Sequence, residues 1–209
     1  MARNPERDGY TPTEDLHLTT KEYVDSVVVS LQAQVTSLAA QVAALGGGGI
    51  PDPSLVPSYA NPDGTGDRTA TITVTSSTGL LVHVGVDYRF VDGSIFFDNY
   101  MEGVDVSIHW IAFDFGEPVY ITEARWYAAN GDCKTWKWQA SNDGSLWSDI
   151  TPSFTLDSTG GTVIGGTPVQ IIDMSTNAFV WQYYRLKGVS GTLPAPGPYL
   201  FEAEFKIDR

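Results

Sequence analysis

The chain has 209 residues, 42% of them apolar, with 25 acidic against 12 basic side chains and a formal net charge of −13. That balance argues against nucleic-acid binding, which needs clustered Lys and Arg, and against docking on an anionic bilayer, while it suits high solubility and cation binding. The one cysteine, Cys133, excludes an intrachain disulfide or a cysteine zinc site and reads as a small buried side chain, and no apolar run reaches membrane-spanning length.

In chain order, residues 1–20 mix charges with Pro5, Gly9 and Pro12 and show no periodicity. Met1–Tyr10 is too polar for a secretory leader, so export by that route is not expected. The segment reads as an extended arm that orders on a partner surface, with Leu16 and Leu18 as its apolar contacts. Residues 21–45 then carry a heptad pattern. With Val28 at position a, valines occupy a (Val28, Val35, Val42) and leucines d (Leu31, Leu38, Leu45), with Val24 at the preceding d. A repeat near 3.5 residues per turn holds one narrow seam on one side of the helix, which predicts a left-handed coiled coil. The flanking positions, Gln32, Gln34, Ala39 and Gln41, are uncharged, and small uncharged flanks favour a parallel trimer over a charge-paired dimer. Gly46–Gly49 ends the helix, and residues 46–67, rich in Gly, Pro, Asp and Ser, read as a spacer.

From residue 68 the apolar period becomes two. Strands are predicted at Thr69–Thr75, Leu80–Val86, Ser107–Phe115, Val119–Ala128, Thr135–Ser141, Ile171–Asp173, Trp181–Val189 and Leu200–Ile207. Turn signals separate them, among them Gly116-Glu-Pro118, Asn130-Gly131 and Asn142-Asp-Gly144. Many short strands without a helix-period segment predict a mainly β fold, a β-sandwich of jelly-roll type over residues 68–209.

Two phrases resemble known families. Leu18-Thr-Thr-Lys-Glu-Tyr-Val-Asp25 resembles a phrase that opens coiled-coil segments in bacteriophage tail-fibre and related virion proteins. In the β region, Asp92-Gly93, then Trp110-Ile-Ala-Phe-Asp-Phe-Gly116, Ser141-Asn-Asp-Gly-Ser-Leu-Trp147, Tyr183-Tyr-Arg185 and Glu202-Ala-Glu204 follow in order. That order resembles the discoidin, or coagulation factor 5/8 C-type, family of galactose-binding-like sandwiches. Physically, Asp143-Gly144 suits a tight hairpin turn, Trp126, Trp138 and Trp147 read as core, and Arg185 is expected to pair with a carboxylate.

The second resemblance implies sugar binding by loops at one end of the sandwich, where an aromatic face meets C–H patches and polar groups meet hydroxyls. The loop-end residues are Trp136, Trp181, Tyr183 and Tyr199, with Asn130, Asp132, Lys134 and Asn177. Some relatives also carry a structural calcium. The matching positions are Asp92, Ser94 or Asp98, and Glu202 or Glu204, and no cofactor beyond that ion is expected. Catalysis has no support: His17, His83 and His109 are scattered, and no phosphate loop or nucleophile elbow occurs, which points to a non-enzyme.

The expectation for the whole chain is a bacteriophage fibre or spike protein. It is made in the host cytoplasm, released on lysis, held on a capsid, neck or baseplate protein through residues 1–20, trimerised by residues 21–45, and tipped by a head that binds host glycans. A purely structural connector, or a carbohydrate-binding module of a bacterial surface protein, are the alternatives.

Overall fold

The computed structural model describes residues 21, 23–35, 49, 51, 58–59, 66–80, 87–94, 99–101, 103–129, 131–157, 162–164, 167–195 and 197–208. The chain divides into two compact units, Met1–Ala44 and Leu45–Arg209. In the first, residues 21 and 23–35 are helical, with Lys21 and Asp25 paired one turn apart at 2.7 Å. The seam residues Val24, Val28, Leu31 and Val35 are 50%, 49%, 54% and 65% exposed, so this face of the helix is open. Leu16, Leu18, Leu38, Val42 and Leu45 lie outside the described residues. Among the described residues no helix is long and apolar enough to cross a membrane.

The second unit is mainly β, as expected. Its strands are β1 (Ser58–Tyr59), β2 (Thr73–Ser76), β3 (Asn99–Tyr100), β4 (Trp110–Ala129), β5 (Asp132–Ser141), β6 (Ser148–Asp149), β7 (Phe154–Asp157), β8 (Thr162–Ile164), β9 (Thr167–Asp173), β10 (Trp181–Ser190) and β11 (Tyr199–Asp208). All pairings are antiparallel, and the sheet curls over on itself through the long β4. The first half of β4 lies between β2 and β10, with β5 beyond β10 and β6 and β7 on the far side of β5. Its second half lies between β9 and β11, with β8 outside β9 and β1 and β3 on the outer edge of β11.

The two halves face each other across an aromatic core. Phe113 and Trp138 from one half meet Phe205 from the other, with ring centroids 4.9 and 5.7 Å apart, and Trp126 packs edge-on to Phe113 at 6.5 Å. Offset and edge-to-face contacts of this kind add to the burial energy, about 1.5–3 kcal/mol for each large apolar side chain. Alternation places Ile111, Phe113 and Phe115 inward. An extra residue at Thr122, where Lys206 pairs with Glu123 and Ile207 with Ile121, then shifts the inward set to Ala124, Trp126 and Ala128.

Several boundaries differ from the sequence expectation for local reasons. Thr69–Thr71 form a turn and not the start of a strand, because the Asp67 carboxylate accepts bonds from both the backbone N–H and hydroxyl of Thr69. Val106–Ile108 is a short 3-10 turn, started where Asp105 accepts the Ser107 N–H at 3.0 Å. The two strands expected on either side of Gly116-Glu-Pro118 are the single strand β4. There β10 pairs Trp181 with Val119 and Tyr183 with Asp114, so Gly116–Pro118 protrude as a bulge. Residues 81–86 lie outside the described residues. The expected spacer is partly built into the sheet: Ser58 and Tyr59 pair with Ile207 and Lys206, and Gly49 O accepts the Val180 N–H at 3.0 Å.

Candidate functional site

Outward-facing positions on β2, β4 and β10 come into register on one face. Thr73, Asp114 and Tyr183 form one row across the strands, and Thr75, Ala112 and Arg185 the next. With Trp110 at the start of β4, and Gly144 and Trp147 from the loop after β5, they enclose a cleft of about 300 Å³. Three aromatic side chains, threonine methyls, one carboxylate and one guanidinium thus share a concave surface. This is the mixture of apolar faces and few polar groups that small-ligand sites use.

The loop that brings Trp147 to the cleft is fixed by Asp143. Its Oδ1 accepts the N–H groups of Ser145 (2.7 Å) and Leu146 (2.8 Å), which holds the carboxyl down at about 2. Gly144 sits at φ 68°, the left-handed conformation that this turn needs and a Cβ disfavours. Trp147 is half-buried on the outer face, not in the core as expected, and Arg185 stacks on its ring at 4.1 Å. The Arg185 Nε donates to Gln139 Oε1 at 2.7 Å. Arg185 is therefore held by an amide and an indole, whereas a carboxylate partner was expected. Opposite it, Asp114 Oδ1 accepts from the Gly116 N–H (2.8 Å) and from Gln182 Nε2 (3.0 Å), and the same Gln182 amide reaches the Tyr183 hydroxyl at 3.0 Å.

Of the residues expected to touch sugar, only Tyr183 lies in this cleft. Trp136 is fully buried and donates from Nε1 to Cys133 O at 2.6 Å. Trp181, 5% exposed, donates to Asn177 Oδ1 at 3.0 Å, and Asn177 is itself buried and donates to Ile121 O. These three are internal supports and present no face to a ligand. Asp132 and Lys134 form an exposed pair at 2.9 Å at the start of β5. Tyr183 stands opposite Ser141, at the other end of that strand, about 23–30 Å away at the usual rise per residue. Tyr199 pairs in the sheet with Tyr100 and Ala129, and Asn130 lies outside the described residues. The fold therefore does not gather the expected set. Trp110, Trp147, Arg185 and Asp114, which line the cleft, were not among the expected residues, although Trp110-x-Ala112-x-Asp114 and Tyr183-x-Arg185 carry the period-two spacing that puts alternate residues on one sheet face.

Of the residues expected to hold calcium, Glu202 and Glu204 lie on β11, on the outer face of the other half-sheet. Glu202 and Glu204 are buried (0% and 1% exposed), and both pair with Arg68. Glu202 Oε2 also accepts the Gly93 N–H at 2.9 Å, and Glu204 Oε2 accepts the Tyr127 hydroxyl at 3.0 Å. Asp92 Oδ1 accepts the Ser94 N–H, and Asp98 lies outside the described residues. Donors thus take up the carboxylate oxygens that a calcium ion would require, so this set does not fit the ion. Among the described residues no group of three or more His, Cys, Asp or Glu could hold a metal. His109 is buried and shares a 2.8 Å hydrogen bond with Ser77 Oγ, while His17 and His83 lie outside the described residues. Burial, with Asp132 and Asp157 nearby, pushes the Cys133 thiol up to about 12, so it is not a nucleophile at neutral pH.

No protein-family model and no curated protein matches the sequence. Solved structures do. The module CpGH89CBM32-5 of Clostridium perfringens, in complex with GalNAc-beta-1,3-galactose, is 16% identical with a TM-score of 0.47, over 73% of this chain and 99% of that one. CBM32-3 from a family 31 glycoside hydrolase of Clostridium perfringens is 15% identical with a TM-score of 0.49, over 67% and 93%. A chitosan-binding module from a chitosanase/glucanase of Paenibacillus sp. IK-5 is 24% identical with a TM-score of 0.43, over 64% and 92%.

Proposed function

We propose that the β unit is a galactose-binding-like head that binds saccharides, and that the cleft formed by β2, β4, β10 and the loop after β5 is its site. The observation that carries this reading is the meeting of Trp110, Trp147 and Tyr183 with Arg185 and Asp114 on one concave face. Aromatic surfaces take up the C–H patches of a sugar ring, and the polar groups select its hydroxyl pattern. The arrangement offers no nucleophile or general-base pair, so the proposed role is binding and not turnover.

The chain as a whole is proposed to be a bacteriophage fibre protein. The arm of residues 1–20 would dock on a virion protein, and the helix would assemble three copies through Val24, Val28, Leu31 and Val35. The open seam and the Leu18–Asp25 phrase support this reading. A second reading, a carbohydrate-binding module of a bacterial surface protein, is favoured by the cleft lying wholly within the unit Leu45–Arg209.

The test of the site is a glycan array probed with the full chain and with Trp147→Ala and Tyr183→Ala. Saccharide binding that falls at least about tenfold in either variant, with an unchanged melting temperature, supports the cleft. Binding that survives in both would move the site elsewhere on the head.

A further inference from the structure

The cleft contains a guanidinium, Arg185, that no described carboxylate meets at ion-pair distance. Among the described residues, no carboxylate lies within ion-pair distance of Arg185 or Lys187. The nearest acidic influence on Arg185 is Asp149, and both Asp149 oxygens are already engaged, by Lys137 Nζ at 2.7 Å and Gln139 Nε2 at 2.6 Å. Lys187, the next outward residue along β10, donates to two backbone carbonyls, Ser107 O at 2.6 Å and His109 O at 3.3 Å. These two bonds are to neutral groups, and the acidic influence on its charge comes from Asp105, which lies beyond ion-pair distance. Arg185 and Lys187, beside the Lys137–Asp149 ion pair, therefore place positive charge on one sheet face of a chain with a net charge of −13.

The guanidinium is also pre-positioned. Its plane rests on the Trp147 ring, and its Nε is tied to Gln139, which fixes the group without involving its two terminal nitrogens. A guanidinium held in this way can present a fork of parallel N–H donors to a planar or tetrahedral oxyanion. Asp114, the one acidic side chain in the cleft lining, belongs to the row of Thr73 and Tyr183, and its Oδ1 is held by Gly116 and Gln182.

We infer that the ligand of this cleft is an acidic saccharide, whose carboxylate or sulfate is received by Arg185 beside the Trp147 face while neutral parts of the sugar lie against Tyr183 and Trp110. The inference rests on the saccharide reading of the same cleft. Burial, followed by the like charges of Arg185 and Lys137 and opposed by Asp105, holds the Lys187 ammonium below its usual range.

The experiment is a glycan array probed with the full chain, in which each carboxylate- or sulfate-bearing saccharide is printed beside its neutral parent. It is repeated with Arg185→Gln and Arg185→Lys and at rising sodium chloride. The expected result is a preference for the acidic member of each bound pair that weakens with salt. Arg185→Gln should remove the preference by at least about tenfold, and Arg185→Lys should restore it only in part, because the charge returns without the fork. Melting temperatures separate loss of recognition from loss of fold, and Lys187→Gln, which leaves the Trp147 stack intact, gives a second, milder reduction of the same preference. Equal or stronger binding of the neutral parents, or a preference that Arg185→Gln leaves intact, overturns the inference while the saccharide reading stands. Failure of the full chain to bind any printed saccharide overturns both.

Discussion

Two positions show how single residues carry the β unit. Gly188 lies in β10 where the strand passes over the 3-10 turn Val106–Ile108. A Cβ built there would lie 1.9 Å from Val106 O. Backbone cannot yield as the end of a flexible side chain does, so Gly188→Ala must push β10 away from Val106 and strain the Gly188 N–H bond to His109 O. The expected cost is about 3 kcal/mol, the upper end for overpacking, read as a lowered urea midpoint with an unchanged slope. His109, next to this contact, sets a pH limit. Burial, and secondarily the charge of Lys187, holds its imidazole below the usual range in the folded chain. The unfolded chain therefore binds a proton first as pH falls, so the stabilisation is complete above about pH 6.5 and is lost on going lower. Melting temperature should decline as pH drops from about 7 to 5, and His109→Gln should flatten that decline; an unchanged slope in the variant would assign the effect to other groups.

At the scale of elements, the closing strand β11 is held through a charge cluster on its outer face. Arg68, just before β2, bridges Glu202 and Glu204, and Tyr127 and the Gly93 N–H take the remaining carboxylate oxygens. The added strand β1 covers the neighbouring part of this face: the Arg125 guanidinium stacks on Tyr59 at 3.8 Å, and the Tyr59 hydroxyl donates to Glu123 at 2.6 Å. Removing the cation would leave two buried carboxylates without it. Arg68→Met should therefore destabilise by roughly 3–5 kcal/mol, whereas replacing all three charged groups by apolar residues of similar size should cost far less. Calcium or a chelator should leave the melting temperature of the parent chain unchanged, and a rise with calcium would return the acidic pair to metal binding. The paired acids at 202 and 204 were visible in the sequence, and so was the strand that carries them. Their partner was not, because Arg68 is 134 residues away and only the folded topology brings it to β11. The same limit explains the residues of the proposed site. Alternation located β4, β5, β10 and β11 well, but it could not say that Trp136 and Trp181 face the core while Trp147 does not. That depends on the register of β10 against β4 and on the bulge at Gly116–Pro118.

At the scale of the molecule, the proposed fibre assigns the helix and the head separable contributions to binding. In the proposed reading each head offers the cleft described above, and a weak saccharide contact at one such site would give short-lived attachment. The seam of Val24, Val28, Leu31 and Val35 is open along one helix face, and in the proposed trimer it would be covered by two further copies. Linking three heads turns the second and third binding events into intramolecular ones, so apparent affinity for a dense glycan surface should rise by roughly a hundredfold or more with no change in the site itself. Leu31→Asp places a charge in the seam and leaves the sequence of the head unchanged. Light scattering should then report the mass of one 209-residue chain in place of three. Binding to immobilised saccharide should fall by that avidity factor, while the dissociation constant for a soluble monovalent saccharide stays the same. A parent chain that is already monomeric would remove the trimer and favour the surface-module reading. A trimer whose monovalent affinity drops together with its avidity would show that the helix acts on the cleft and not merely on the number of cleft copies.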